Sequence, residues 1–186
     1  MEVRIAAPLW VERIAVRRAR TAVVHTGMGP RRSLRRVEAL QNTAVLVAGV
    51  GGGLARDVRV GDLVVASEVH APEGTVVPCT MPELLVAELH RAGLIVHYGP
   101  IGSCARLVDG AQRERLAAAG AYAVDMESCW LAPSAGTPFA VVRAISDTQE
   151  QSPRSPAVVT GGLAALRTLR RAVPALDAWA EAIAAR

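Results

Sequence analysis

Four carboxylates in this chain stand where an apolar run stops. Asp125 and Glu127 close "AYAVDMES", Asp147 closes "FAVVRAISD", and Glu12 follows the first apolar run by a few residues. A carboxylate buried without a partner is costly. Either these acids are solvated at helix starts, where the positive end of the helix dipole favours them, or they point into a cavity where a ligand engages them. Two glycine-rich stretches occupy comparable places, "HTGMG" at 25–29 and "AGVGGGL" at 48–54. Gly49 and Gly51 to Gly53 allow backbone N–H groups to approach a ligand with no Cβ in the way. The stretch is neither a GxGxxG fingerprint nor a P-loop, since no GK[ST] follows, and a plain tight turn fits it equally well. "HTGMGPRRS" reads as a turn before a helix, or as a small anion or hydroxyl site at that helix's N-terminus.

Seven β-type runs carry these endings, at 3–7, 21–25, 44–50, 62–69, 94–101, 121–125 and 139–145. Between them fall helix patterns near 9–19, 31–41, 82–92, 110–119 and 126–132, and two more at 157–172 and 175–185 close the chain. Pro30, Pro82 and Pro174 stand where helix starts are expected. Several strands are apolar on both faces, as in a sheet covered by helices on both sides. The expectation is an α/β fold in one layered domain over residues 1–186. No repeat, low-complexity tract or linker marks a boundary, and the least regular stretch is "SDTQEQSPRSP" at 146–156. In open α/β sheets ligands bind beyond the carboxyl ends of the strands. Five such ends carry glycines or carboxylates here, which predicts that they meet in one site.

Composition narrows the class. A chain of 186 residues is long enough for one sizeable core, and its apolar runs are too short and too interrupted for a membrane span. The N-terminal twenty residues lack a signal-peptide layout, so a cytoplasmic protein is expected. Cys79, Cys104 and Cys129 are an odd number without metal-ligand spacing, which predicts free thiols and no metal. All 21 basic side chains other than histidine are arginine. A net charge of +4 with six aromatic residues argues against a nucleic-acid binder, and the arginine clusters at 17–20, 31–36 and 167–171 read as solvated helix faces.

"VAGVGGGL…VGDLVV", "VDMES" and "FAVVRAISD" together resemble the three signatures of the nucleoside phosphorylase and nucleosidase superfamily, most closely its 5′-methylthioadenosine/S-adenosylhomocysteine nucleosidases. The likeness runs from about residue 3 to 172. The segment from Val142 to Leu176 is also similar to a narrower branch, the hopanoid-associated phosphorylases that release adenine from adenosylhopane. The resemblance implies a three-layer αβα domain with a twisted mixed central sheet and a purine N-ribosidic bond as the substrate. Cleaving that bond places positive charge on the ribose and negative charge on the base, as in glycoside hydrolysis.

The resemblance also implies roles. Asp147 would be the acid at purine N7, kept protonated by burial, with Ser146 setting its geometry. Glu127 would accept hydrogen bonds from the ribose hydroxyls, and Met126 would pack against the sugar. Glu12 would orient or deprotonate an attacking water, with Arg143 near the nucleophile. Met28, Gly27 and Gly29 in one glycine-rich turn, and Val50 and Gly51 in the other, would complete the substrate-binding set. Asp125 is expected to have a structural or capping role. Three departures stand out. The stretch between Glu12 and "HTGMG" is too short for a hairpin present in many relatives, Val50 replaces a small hydroxyl residue, and "GSCARLVDG" at 102–110 has no aromatic ring to stack on a base.

The expected activity is therefore cleavage of a purine nucleoside, an adenosine with a modified 5′ position, by water or by phosphate and without a cofactor. Water is favoured because a GDPxR-type loop and an arginine before the glycine-rich turn are missing while Glu12 is present. An adenosylhopane phosphorylase, a futalosine hydrolase and an inactive nucleoside-binding module are the alternatives. A homodimer is expected, because the apolar content is large for a lone domain to hide.

Overall fold

Strand β1 (Val3–Ala7) lies between β2 (Ala22–His25) and β3 (Ala44–Gly53), and the three run parallel. The computed structural model describes residues 1–133, 136–148 and 157–186. Along its first half β3 pairs with β1 on one side and with β8 (Phe139–Asp147) on the other. At Gly52 and Gly53 it turns to pair antiparallel with the short β7 (Ala123–Asp125). Strand β6 (Val96–Ser103) runs parallel to both β7 and β4 (Leu63–His70), and β4 pairs antiparallel with β8. The pairings β3–β7–β6–β4–β8–β3 thus form a closed ring, with β1 and β2 as an extension. The mixed sheet is the one expected, but it closes on itself, which no local pattern announces. Strand β5 (Val76–Pro78) is an edge partner of β4 that the sequence reading lacks, being three residues long and ending in a proline.

Side chains alternate across this sheet and bury both faces. Ile5, Leu46, Val65 and Val142 face one core layer, together with Leu85 and Leu89 of α3 (Pro82–Arg91) and with Leu169, Leu176 and Trp179 of α6 (Ala157–Ala184). Their neighbours Ala6, Val45, Val47, Val64 and Val141 face a second layer with Phe139, Leu40 and Leu131. The period of two produces runs that read as continuously apolar.

Helix α1 (Trp10–Ala15) follows β1, and α2 (Pro30–Val37) follows β2 and ends in a 3₁₀ turn at Glu38–Leu40. Helices α4 (Gly110–Ala118) and α5 (Ser128–Leu131) flank β7. Pro30 and Pro82 open their helices as expected. Pro174 does not. The two C-terminal helices read from sequence are one continuous helix with Pro174 inside it. A proline there forfeits one backbone hydrogen bond. Leu169 and Ala172 before it, and Leu176, Trp179 and Ile183 after it, are buried in the same layer. Shared burial holds the two halves on one path. Residues 149–156 of the irregular stretch lie outside the described residues. Among the described residues no helix is long and apolar enough to cross a membrane.

Candidate active site

The five strand ends meet. A cavity of about 170 Å³ is lined by Leu9 and Glu12 after β1, Met28 after β2, and Val50, Gly51 and Gly52 of β3. Asp125, Met126 and Glu127 at the end of β7, and Ser146 and Asp147 at the end of β8, complete those walls. Met28, about half exposed, and Leu107, more so, stand at its mouth.

Glu12 owes its position to the short helix that begins right after β1. Its carboxylate folds back to accept the Leu9 N–H at 2.5 Å and reaches across to accept the Val50 N–H at 2.7 Å. Burial raises its pKa, against the pull of the Arg143 charge and these two N–H groups. A carboxylate so held is a better proton acceptor than one in water.

Arg143 projects from the middle of β8 and is fully buried. Its Nε donates to Asp125 at 2.9 Å, and its Nη2 reaches Ser128 Oγ at 3.0 Å and Glu127 at 3.5 Å. Its Nη1 donates to the Val50 carbonyl at 3.3 Å. Burial alone would lower its pKa, but Asp125, Glu127 and Glu12 together raise it. The guanidinium is therefore a permanent charge, and it is already committed. Gly49 is required beside it: a Cβ there would lie 2.5 Å from Arg143 Nη1 and 2.7 Å from Glu12 Oε1.

Asp125 ties this arrangement together. It accepts from Ser103 Oγ at 2.7 Å, from the N–H groups of Glu127 and Ser128 at 3.1 Å each, and from Ser128 Oγ as well as Arg143. Every lone pair it can use is taken, which matches the structural role expected of it. Glu127 is left facing the cavity. One oxygen accepts the Gly29 N–H at 3.0 Å and the other faces Arg143. Burial pushes its pKa up to about 7, against the opposing effect of Arg143.

Asp147 ends β8 on the far wall, buried, and accepts from Ser146 Oγ at 2.9 Å. The chain was expected to bury this carboxyl. It also pairs it: Arg113 of α4 donates to its other oxygen at 2.5 Å. Helix α6 passes directly behind, where a Cβ on Gly161 would meet the Ser146 carbonyl at 2.0 Å. Only glycine allows so close an approach.

The Phosphorylase superfamily profile matches residues 12–177. The chain belongs to that superfamily. Solved structures agree on the fold. The 5′-methylthioadenosine/S-adenosylhomocysteine nucleosidase of Helicobacter pylori superposes with a TM-score of 0.81 at 17% identity, over 96% of this chain and 98% of that one. The futalosine hydrolase of the same organism gives 0.81 at 16% identity, over 95% and 97%. The nucleosidase of S. pneumoniae gives 0.76 at 19% identity, over 98% and 99%. No curated protein matches the sequence.

Within this member of the superfamily, the structure brings Glu12, Met28, Val50, Gly51, Met126, Glu127, Ser146 and Asp147 to one cavity. Gly29 takes part through its N–H, and Arg143 stands immediately behind the wall. Gly27 does not join them. It faces a second cavity with Thr26, Arg32, Arg35 and Arg36. Between Glu12 and β2 the chain forms the rest of the short α1 and the turn that follows it. Among the described residues no aromatic ring lines the cavity; Arg106, Leu107 and Val108 do. The sequence reading missed Ser103, Ser128 and Arg113. Only the helical register of Arg113 with Leu116 and Ala117, which pack inward beside it, could have signalled the last. All three cysteines are free, and burial raises the thiols, Cys79 and Cys129 to about 12, so none is a nucleophile near neutral pH.

Proposed function

We propose that this protein cleaves the N-glycosidic bond of purine nucleosides, adenine nucleosides modified at the 5′ position foremost, with water as the acceptor. The observation that carries the reading is that Glu12, Glu127 and Asp147 face a single cavity from three different strand ends. Asp147 gives a proton to N7 as the C1′–N9 electron pair moves onto the base. Glu127 accepts from the ribose hydroxyls and fixes the sugar. Glu12 takes a proton from the water whose oxygen bonds to C1′. The apolar mouth at Met28 and Leu107 suits a hydrophobic 5′ group.

Water is favoured over phosphate by electrostatics. An anion at the sugar would meet Glu12 and Glu127, and the one cation there among the described residues, Arg143, is enclosed and already spends its donors on Asp125, Ser128 and Val50. The structures named above, a methylthioadenosine nucleosidase and a futalosine hydrolase, support the same bond as the target. The test is incubation with 5′-methylthioadenosine, adenosine, inosine and futalosine, first in phosphate-free buffer and then with millimolar phosphate. Released base and sugar are identified by chromatography. Free ribose product without phosphate is expected; a strict phosphate requirement with a ribose 1-phosphate product would move the protein to the phosphorylases.

The protein is further proposed to work as a cytoplasmic homodimer, for which exposed Trp10, Val11, Ile14 and Leu163 offer apolar surface. A monomer by light scattering at micromolar concentration would contradict this.

A further inference from the structure

Arg113 is the most unusual charge in the molecule. It is 2% exposed, yet it lines the cavity beside Asp147. Its Nη1 donates to Asp147 and its Nη2 to the Gly53 carbonyl at 3.0 Å. Its Nε–H is buried and has no partner among the described residues. Gly52 leaves room for it, since a Cβ there would come within 2.7 Å of Nη2. Buried donors are rarely left unpaired, and leaving one so is costly. A guanidinium serving only as a counterion for Asp147 would need neither a place on the cavity wall nor a spare donor. Arg143, the other buried arginine, uses all three of its nitrogens.

A ligand that satisfies Arg113 must bring an acceptor, because arginine has only donors. The base of a purine nucleoside does so, and more strongly as the bond breaks. When C1′–N9 cleaves, the electron pair goes to N9 and spreads over the ring, so the edge carrying N7 gains negative charge. With N7 taking the Asp147 proton, the acceptor for Arg113 is another ring nitrogen of the base or, in a 6-oxopurine, O6, since adenine presents a donor at N6. Resting on the function proposed above, we propose that Arg113 is a second leaving-group residue, donating from its free Nε–H to the departing base. Seating a purine against Asp147 brings a third group to a carboxyl that Ser146 and Arg113 already contact, and Arg113 stands on the same wall. The guanidinium then turns to the base, and Asp147 carries the proton that N7 receives. Once the ion pair opens, Asp147 takes that proton from solvent, the water proton goes to Glu12 and from there back to solvent, and the sum is nucleoside plus water giving base plus ribose.

The experiment compares purine nucleosides with 4-nitrophenyl β-D-ribofuranoside, whose nitrophenolate departs readily and has no N7. In Arg113→Gln, kcat on purine nucleosides should fall by about 10²–10³, as when one preorganised charge-stabilising donor is lost. The loss on the nitrophenyl riboside should be at least about tenfold smaller. Arg113→Ala should regain purine cleavage when millimolar guanidinium is added, and not with urea. Equal losses on both substrates without guanidinium rescue, or no loss on purines, would overturn the proposal. A protein that cleaves no purine nucleoside in the first place sinks the functional reading separately. Calorimetric titration with free purine bases then decides on Arg113: binding that Arg113→Gln leaves unweakened overturns it.

Discussion

The two ends of the cavity, proposed above to hold the sugar and the base, are built differently. At the sugar end, three carboxylates, Glu12, Asp125 and Glu127, surround Arg143, and backbone N–H groups of Leu9, Gly29 and Val50 point at them. At the base end, one carboxylate meets one cation, Asp147 with Arg113, among Leu107, Val108 and Val124. The sugar end is an excess of negative charge held by strands and the turns that leave them. The base end is a neutral pair in an apolar wall, half of it supplied by a loop and a helix. The difference matches a bond that breaks with positive charge on the sugar and negative charge on the base. A site that merely bound a neutral nucleoside would need no such gradient.

The comparison breaks most sharply at Asp147. Asp147→Asn keeps the shape and the Ser146 contact but cannot deliver an acidic proton, so base release should drop by about 10²–10⁴ with the fold intact by circular dichroism. Near-normal turnover would remove Asp147 from the chemistry and leave the base end as a binding surface only. Glu12→Gln tests the opposite end. An amide in place of the carboxylate can accept from only one of the Leu9 and Val50 N–H groups and takes up no proton, and a loss of about 10²-fold or more is expected in phosphate-free buffer. If millimolar phosphate restored the rate, an anion would be taking the place assigned to water.

Glu127 sharpens the comparison within the sugar end. The hydrogen bonds proposed between Glu127 and ribose hydroxyls would be charge-assisted, worth about 1.5–3 kcal/mol each. Glu127→Gln should therefore reduce kcat/KM for ribonucleosides roughly 10- to 100-fold, and clearly less for 2′-deoxy analogues. Equal losses would mean that Glu127 does not read the sugar.

Much of the sugar end was legible in the residues themselves, and little of the base end was. Glycines and carboxylates at strand ends are local signals, since β-type periodicity stops where the chemistry starts. They pointed to Glu12, Glu127 and Asp147 without any knowledge of pairing, and the family resemblance added Val50. The closed ring of strands depends on contacts far apart in sequence, such as β7 with the end of β3, and no local pattern encodes it. Arg113 lies within "RER" on a weakly amphipathic helix, where an arginine reads as solvated. It is buried because α4 is seated over Gly52 and Gly53, again a non-local fact. Pro174 misled for the complementary reason, because a strong local stop signal was overridden by burial on both sides of it. Asp147 was expected to be buried, and is, but its partner was invisible.

Glu127 also makes a prediction about stability, in which the sign is informative. Its carboxyl titrates at about 7 in the folded chain against an ordinary value of 4.5, because burial outweighs the pull of Arg143. Between those values the folded state binds more protons than the unfolded one, so stability falls as pH rises. The cost is absent below about pH 4.5 and fully present above about pH 7. It amounts to about 3 kcal/mol at most. Glutamine cannot ionise and so escapes it. Glu127→Gln should thus gain on the wild type as pH rises from 5 to 8, by roughly 2–4 °C in Tm for each kcal/mol. Titrating groups that do not face Glu127 are common to both proteins and cancel in the difference, whereas Glu12 and Asp125, whose charges act on Glu127, cancel only in part. The measurement is a pair of thermal melts at each pH in a buffer free of nucleosides. A Tm gap that stays constant from pH 5 to 8 would mean that Glu127 is ionised throughout. The sugar end would then be fully charged at rest, and the negative excess that distinguishes it from the base end would be stabilised by the fold instead of being held at a cost.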